Sequence, residues 1–360
     1  MNYKKNFVTF FPECINVELI KDVGMIPYIL RKYYNYDSSI VCRQNDIEYT
    51  YKTKYLDDIP IDFIEKKYKN SILNIFRYLR KKSKKIDILN VYHLGIKEAL
   101  LYASIYKFFN RNGYVYLKLD IDLKWIEYLK KCNKIKTFSI KKMLKKVDMI
   151  SAETVQTCVE MSNMLGRKID YIPNGFYNFD FDENDYEKEN IILTVGRLGT
   201  EQKNTELLVK AFDSINNKNW NLSLVGTYTD EFKKWLNTNC KSSNVHLVGN
   251  ISDRKKLSEM YKKAKIFVLP SRWESFGLVL LEALSMGCYV ICSDAVPAAP
   301  DIIDSNSGEI FASENIQQLE MALEKRMKDS NQTVIWKKES DFSWINICKK
   351  IDYILSSNVR

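Results

Sequence analysis

At 360 residues the chain is too long for one ordinary core, so two domains are expected. Apolar and charged shares of 46% and 28% are those of a globular protein and exclude a fibrous or disordered chain. The net charge of +10 is uneven: residues 1–170 carry a net +13 and the remainder a net −3, which points to an anionic partner for the first half.

Within Met1–Pro12, Pro12 and then Glu13 interrupt the short apolar run too early for a signal peptide, and no uncharged apolar stretch is long enough to span a bilayer. The eight cysteines are scattered without CxxC pairs, which predicts a reduced, cytoplasmic protein. Asn6–Phe11 is strand-like, and a helical pattern follows through 19–30, with Pro27 expected to kink it or reset its start. Ser38–Cys42 reads as a second strand, and a long basic helix is expected to fill much of 62–84. Ile86–Tyr92 is a strand ending at His93. A helix to about Phe109 then leads through Asn112-Gly113 into the strand Tyr114–Leu119. Val147–Ser151 and Asp170–Pro173 close the first half.

Two runs concentrate positive charge, Arg80–Lys85 and Lys141–Lys146. One reading is a solvated helix face. The other is contact with an anionic membrane surface, since Ile140, Met143, Leu144 and Val147 recur at helical spacing among the second set of lysines. No recognised nucleic-acid module is present.

A polar, acidic junction at Pro173–Asp185 marks the domain boundary. Strands are then predicted at Ile191–Val195, Trp220–Val225, Val245–Val248, Ile266–Leu269 and Tyr289–Cys292, with helices between them. His246 is expected to pack inside its strand. Such alternation implies parallel sheets covered on both faces, with ligands at the carboxyl ends of the strands.

Two stretches carry the chemistry. In Ser271-Arg272-Trp273-Glu274-Ser275-Phe276-Gly277, a loop leaves one strand and opens a helix near Gly277, whose first amides are unpaired and suit a phosphate. Glu274 and Glu282 bracket that turn, at most about 12 Å apart if most steps between them are helical. One carboxylate can reach a sugar and the other a ribose, with a diphosphate on the amides between them. In Val195–Asn204, Arg197 and Lys203 lie in a loop and at a helix start, where cations neutralise a diphosphate leaving group.

In order, Ile172-Pro173-Asn174-Gly175, Gly196-Arg197-Leu198 with Lys203-Asn204, Leu224-Val225-Gly226, Val248-Gly249, and Leu269–Gly277 through Glu282-Ala283 resemble the donor domain of the retaining glycosyltransferases of family 4. Glu274 to Glu282 is that family's E-x7-E signature. The resemblance implies an α/β GT-B fold, with two Rossmann-like domains, a cleft between them and a C-terminal helix crossing back. The domains would be 1–172 with about 341–360, and 173–340. It implies that Arg197 and Lys203 hold the donor diphosphate, Glu274 the sugar and Glu282 the ribose. Backbone amides near Phe276, Gly277 and Leu278 would contact sugar and phosphate, and a stretch including Asn250 and Ile251 would border the base. No cofactor and no metal are expected.

The first half departs from the family pattern. Phe11-Pro12-Glu13-Cys14 replaces the glycine-rich loop, leaving Gly24 as a candidate for approaching the phosphate or as a helix-packing glycine. Where many members carry a histidine, Asp120 follows the strand; His93 is the alternative polar contact at the reaction centre. Asp120-Ile121-Asp122 also spells the DxD of metal-dependent enzymes of the GT-A fold, a short motif frequent by chance. The expected reaction moves a sugar from a nucleotide diphosphate-sugar (UDP or GDP) to a glycan or lipid-linked acceptor, with retention, in bacterial surface-polysaccharide synthesis. The expected site is the cytoplasm, peripherally at the inner face of the membrane, without nucleic acid. A nucleotide-sugar epimerase and a non-catalytic sugar- or membrane-binding protein of the same fold are the alternatives.

Overall fold

The computed structural model describes residues 4–92, 96–121, 123–132, 140–142, 144–177, 187–329 and 331–358. The chain divides into two compact units, Met1–Tyr177 with Ser343–Arg360, and Asn178–Phe342. The sequence reading puts this boundary at 172/173. Phe176, which bridges to Ser343, ties the intervening residues to the first unit.

The first unit is built on a seven-stranded sheet in the order β3-β2-β1-β4-β5-β6-β7, with every pairing parallel. Its strands are β1 (Asn6–Phe10), β2 (Asp37–Cys42), β3 (Ile61–Phe63), β4 (Ile88–Tyr92), β5 (Tyr114–Leu119), β6 (Met149–Ala152) and β7 (Asp170–Tyr171). Helices cover the sheet, so β4 and β6 are buried along their whole length; β4 is apolar but for Asn90, which accepts from Thr9 Oγ1 at 3.3 Å. Phe10, Val91, Leu117 and Ile150 from the strands join Ile75 and Leu79 from the helix Ser71–Lys82 and Ala103 and Tyr106 from the helix Ile96–Phe109 in one core cluster.

Three local expectations are corrected. Pro27 does not reset the start of its helix: Asp22–Tyr33 runs through it, after a 3-10 turn at Asn16–Ile20. The basic helix starts only at Ser71, because Asn70 caps it by accepting from the Ile72 amide at 2.9 Å, and Ile61–Phe63 instead forms the edge strand. Ile140, Leu144 and Val147 are buried in the core cluster, so the apolar stripe among the 141–146 lysines faces the protein rather than a bilayer. Met143 lies outside the described residues.

The second unit is a six-stranded parallel sheet in the order β10-β9-β8-β11-β12-β13. Its strands are β8 (Glu189–Val195), β9 (Asn221–Val225), β10 (Val245–Gly249), β11 (Ala264–Leu269), β12 (Tyr289–Ser293) and β13 (Gly308–Phe311). The five strands read from the sequence are present. β13 is additional, a four-residue edge strand too short to stand out as a pattern. His246 is exposed on the edge strand β10, its Nε2 3.1 Å from Asn221 Oδ1, and is not a packed core residue.

The chain then returns to the first unit. Trp344 donates its amide to the Phe176 carbonyl at 3.1 Å, and the helix Trp344–Asn358 packs on the helix Asp22–Tyr33. Tyr36 donates to Asp352 Oδ1 at 2.8 Å, and Lys350 to the Tyr171 carbonyl at 2.6 Å. Among the described residues no helix is long and apolar enough to cross a membrane.

Candidate functional site

In the second sheet the strand order reverses between β8 and β11, which pair directly. The loops at their carboxyl ends therefore stand at a topological switch point, the position where open parallel sheets take ligands. Those two loops are the two stretches singled out in the sequence.

The loop after β8 is held in shape by its own backbone. Gly196 and Leu198 donate to Val225 and Thr227 at 3.0 and 2.8 Å, and Lys203 and Asn204 turn back onto the Thr200 carbonyl at 3.0 and 3.1 Å. The Lys203 stem lies over Gly196, where a Cβ would come within 3.3 Å of Lys203 Cε. The loop after β11 is fastened to it: the Arg272 amide donates to the Gln202 carbonyl at 2.8 Å, and its guanidinium to the Glu201 carbonyl at 2.8 Å.

Charge is concentrated where the loops meet. Lys203 Nζ forms an ion pair with Glu274 Oε1, and both side chains are largely buried. Ser271 Oγ donates to the same carboxylate oxygen at 2.8 Å, and Gln202 Nε2 reaches Glu274 Oε2 at 3.4 Å and the Trp273 carbonyl at 3.1 Å. The other end of Gln202 accepts from Arg197 Nη2 at 2.5 Å. Arg197, Gln202, Glu274 and Lys203 thus form one connected network with the exposed Arg197 at its outer end. An ammonium has three donors, so Lys203 can keep Glu274 and still serve an arriving anion.

Gly277 stands at the start of the helix Leu278–Ser285 with φ +92°, a region closed to most side chains. Of the first-turn amides, Leu280 donates to the Gly277 carbonyl at 2.9 Å, and those of Leu278 and Val279 precede the first intrahelical bond. Phe276 is buried in the core, so only its backbone is available. Glu282 lies one turn into that helix, about 6 Å of rise beyond Leu278. Arg254 donates to its Oε1 at 2.6 Å and Tyr261 to its Oε2 at 3.0 Å. Burial and then the Glu282 charge hold the Tyr261 phenol well above its ordinary pKa, so it remains a donor. Each Glu282 oxygen keeps a lone pair for a further hydroxyl. Asn250 is exposed and Ile251 half-buried, in the connection from β10 to the helix Arg254–Lys263 that supplies Arg254.

The structure thus joins Arg197, Lys203 and Glu274, with Glu282 in a second network with Arg254 and Tyr261. Sequence reasoning missed Gln202, Ser271, Arg254 and Tyr261. Polar residues in loops and a tyrosine on a helix face carry no spacing signal; only the strand order brings them to these carboxylates.

The first-unit candidates fall differently. Gly24 is buried, and a Cβ there would overlap the Leu19 carbonyl, so it serves the close packing of the 3-10 turn against the helix Asp22–Tyr33. His93 and Asp122 lie outside the described residues. Asp120 is exposed just past β5, above a buried cluster that the sequence did not reveal. There the fully buried Lys118 Nζ contacts Glu153 Oε1 at 2.5 Å, Asn174 Oδ1 at 3.0 Å and Asp22 Oδ2 at 3.1 Å. Burial raises the Glu153 carboxyl above the usual range; Lys118 opposes this, while Asp120 and Asp22 add to it. Burial pulls the Lys118 ammonium down, but Glu153 and Asp22 outweigh it and hold it protonated.

The chain is 31% identical over 184 residues to the amylovoran biosynthesis glycosyltransferase AmsD of Erwinia amylovora, covering 49% of this chain and 51% of that protein. It spans about half the length, or less, of the curated relatives it matches. Among solved structures, Anabaena Alr3699/HepE in complex with UDP is similar at a TM-score of 0.76 and 16% identity, over 99% of this chain and 100% of that one. Sucrose-phosphate synthase from Thermosynechococcus elongatus is similar at 0.71 and 16%, over 98% and 99%. At such identities the likeness is one of fold. The chain has the GT-B fold, and its residues 177–341 match the family model described as glycosyl transferases group 1.

Proposed function

We propose that this chain is a retaining glycosyltransferase of family 4. In this reading it transfers a sugar from a nucleoside diphosphate-sugar to a glycan or lipid-linked acceptor. The observation that carries this is the network of Arg197, Gln202, Lys203 and Glu274 on the two loops at the switch point of the second sheet. Departure of a nucleoside diphosphate builds negative charge on the leaving phosphate, and Arg197 and Lys203 are placed to stabilise it in a site of lowered dielectric. Glu274, held by Lys203 and Ser271, accepts from sugar hydroxyls. Glu282, held by Arg254 and Tyr261, accepts from the ribose. The amides of Gly277 and Leu278 complete the phosphate contact.

Retention follows if the acceptor attacks the face the phosphate leaves, with a phosphate oxygen taking the acceptor proton; no metal is needed for that step. Asp120 of the first unit is assigned the acceptor side of the reaction. A UDP-sugar donor is supported by the UDP bound in the HepE structure, and a surface-polysaccharide setting by the amylovoran role in the name of AmsD.

The test is product analysis with UDP- and GDP-sugars, with and without glycan acceptors. Transfer that keeps the donor's anomeric configuration is expected. Lys203→Ala should lower kcat/KM by about 100-fold, the scale of one lost charge-stabilising contact. An isomerised donor formed without acceptor would instead identify an epimerase.

A further inference from the structure

Large apolar side chains stand exposed together on one face of the first unit. Ile72, Leu73 and Phe76 project from the helix Ser71–Lys82, and Phe108, 74% exposed, from the end of the helix Ile96–Phe109. Ring contacts join the two helices: Phe76 meets Phe109 edge-on at 5.3 Å between centroids, and Phe109 meets Phe108 at 5.0 Å. Single exposed apolar residues are ordinary, but a contiguous aromatic and aliphatic group marks an interaction surface.

The rim of this patch is basic. Arg80, Lys81, Lys84 and Lys85 are exposed at the helix end, and none has a carboxylate partner among the described residues. Lys66 and Lys69 lie exposed just before the helix. The nearby acids are already neutralised, Glu65 by Arg77 at 3.2 Å and Asp62 by Lys82 at 3.1 Å.

We propose that this face docks on an anionic lipid bilayer. Leu73, Phe76 and Phe108 would enter the headgroup boundary, while the Arg80–Lys85 run meets lipid phosphates. A second copy of the chain fits poorly, because face-to-face pairing would bring two such basic rims together. A nucleic acid would meet the basic rim through its phosphates but leave Ile72 and Leu73 unburied. This inference is independent of the transferase reading and replaces the 141–146 stretch, whose apolar stripe is buried.

The test is flotation of the full chain with vesicles of phosphatidylcholine alone or mixed equally with phosphatidylglycerol. The chain should float with the mixed vesicles only, less so as salt rises. Leu73→Glu/Phe108→Glu and Arg80→Glu/Lys81→Glu should each lower partitioning at least roughly tenfold, with circular dichroism unchanged. The proposal is overturned if wild type ignores anionic vesicles or if folded variants bind as wild type does. It is equally overturned if ultracentrifugation finds a dimer that Leu73→Glu/Phe108→Glu dissociates. Should one variant fail to fold, the other variant and the lipid and salt dependence of wild type decide.

Discussion

Gln202 is one of the residues that join the loops after β8 and β11, beside the Lys203–Glu274 ion pair and the Arg272 bonds. Its amide accepts from Arg197 at one end and donates toward Glu274 and the Trp273 carbonyl at the other. Removing it leaves Arg197 unanchored and Glu274 with one donor fewer, a loss of about 1 kcal/mol. Gln202→Ala should therefore weaken nucleotide-sugar binding roughly fivefold. Gln202→Glu should cost more, because it sets a carboxylate beside Glu274 and draws Arg197 away from the phosphate. Donor titration of both variants checks this, and equal affinities in wild type and variants would remove Gln202 from the network. The sequence points to Arg197, Lys203, Glu274 and Glu282 as candidates because their spacing around two strand ends has a chemical meaning. It could not show Gln202 or Arg254, whose partners are 72 and 28 residues away in sequence.

At the scale of elements, Lys118 fastens β5, β6, the start of the helix Asp22–Tyr33 and the 173–175 connection at one buried point. The pH consequence belongs to Glu153, whose folded pKa is raised above its ordinary value. A raised carboxyl favours the folded state at low pH, and that contribution is lost as pH climbs from the unfolded value through the folded one. Glu153→Gln removes the titration. Its melting temperature relative to wild type should therefore rise steadily from about pH 5 to pH 8. A constant difference across that range would contradict the assignment. Such clusters are not legible in sequence, since a lysine inside the apolar run Tyr114–Leu119 reads as a surface residue until the sheet closes around it. The strands were legible because parallel strands buried on both faces are short apolar runs. β3 and β13 escaped because edge strands of three and four residues carry too little pattern. The stripe at 140–147 has helical spacing but packs on the core instead of a bilayer, because periodicity shows that a face is covered and not what covers it.

Across the whole molecule, charge and chemistry are divided between the units. The first 170 residues carry the excess positive charge, and the exposed basic and aromatic face lies there. The second unit carries the paired acidic and basic groups of the proposed donor site. The claim on which the account stands is that the Arg197–Lys203 loop and the Glu274 loop hold a nucleoside diphosphate. Calorimetric titration of wild type and Lys203→Ala with UDP, GDP and ADP tests it most directly. The account predicts that one of these binds wild type, and that the variant, lacking a charge-assisted contact of about 1.5–3 kcal/mol, binds it roughly 10- to 100-fold more weakly. Binding of none of the three, or equal binding by the variant, would contradict it.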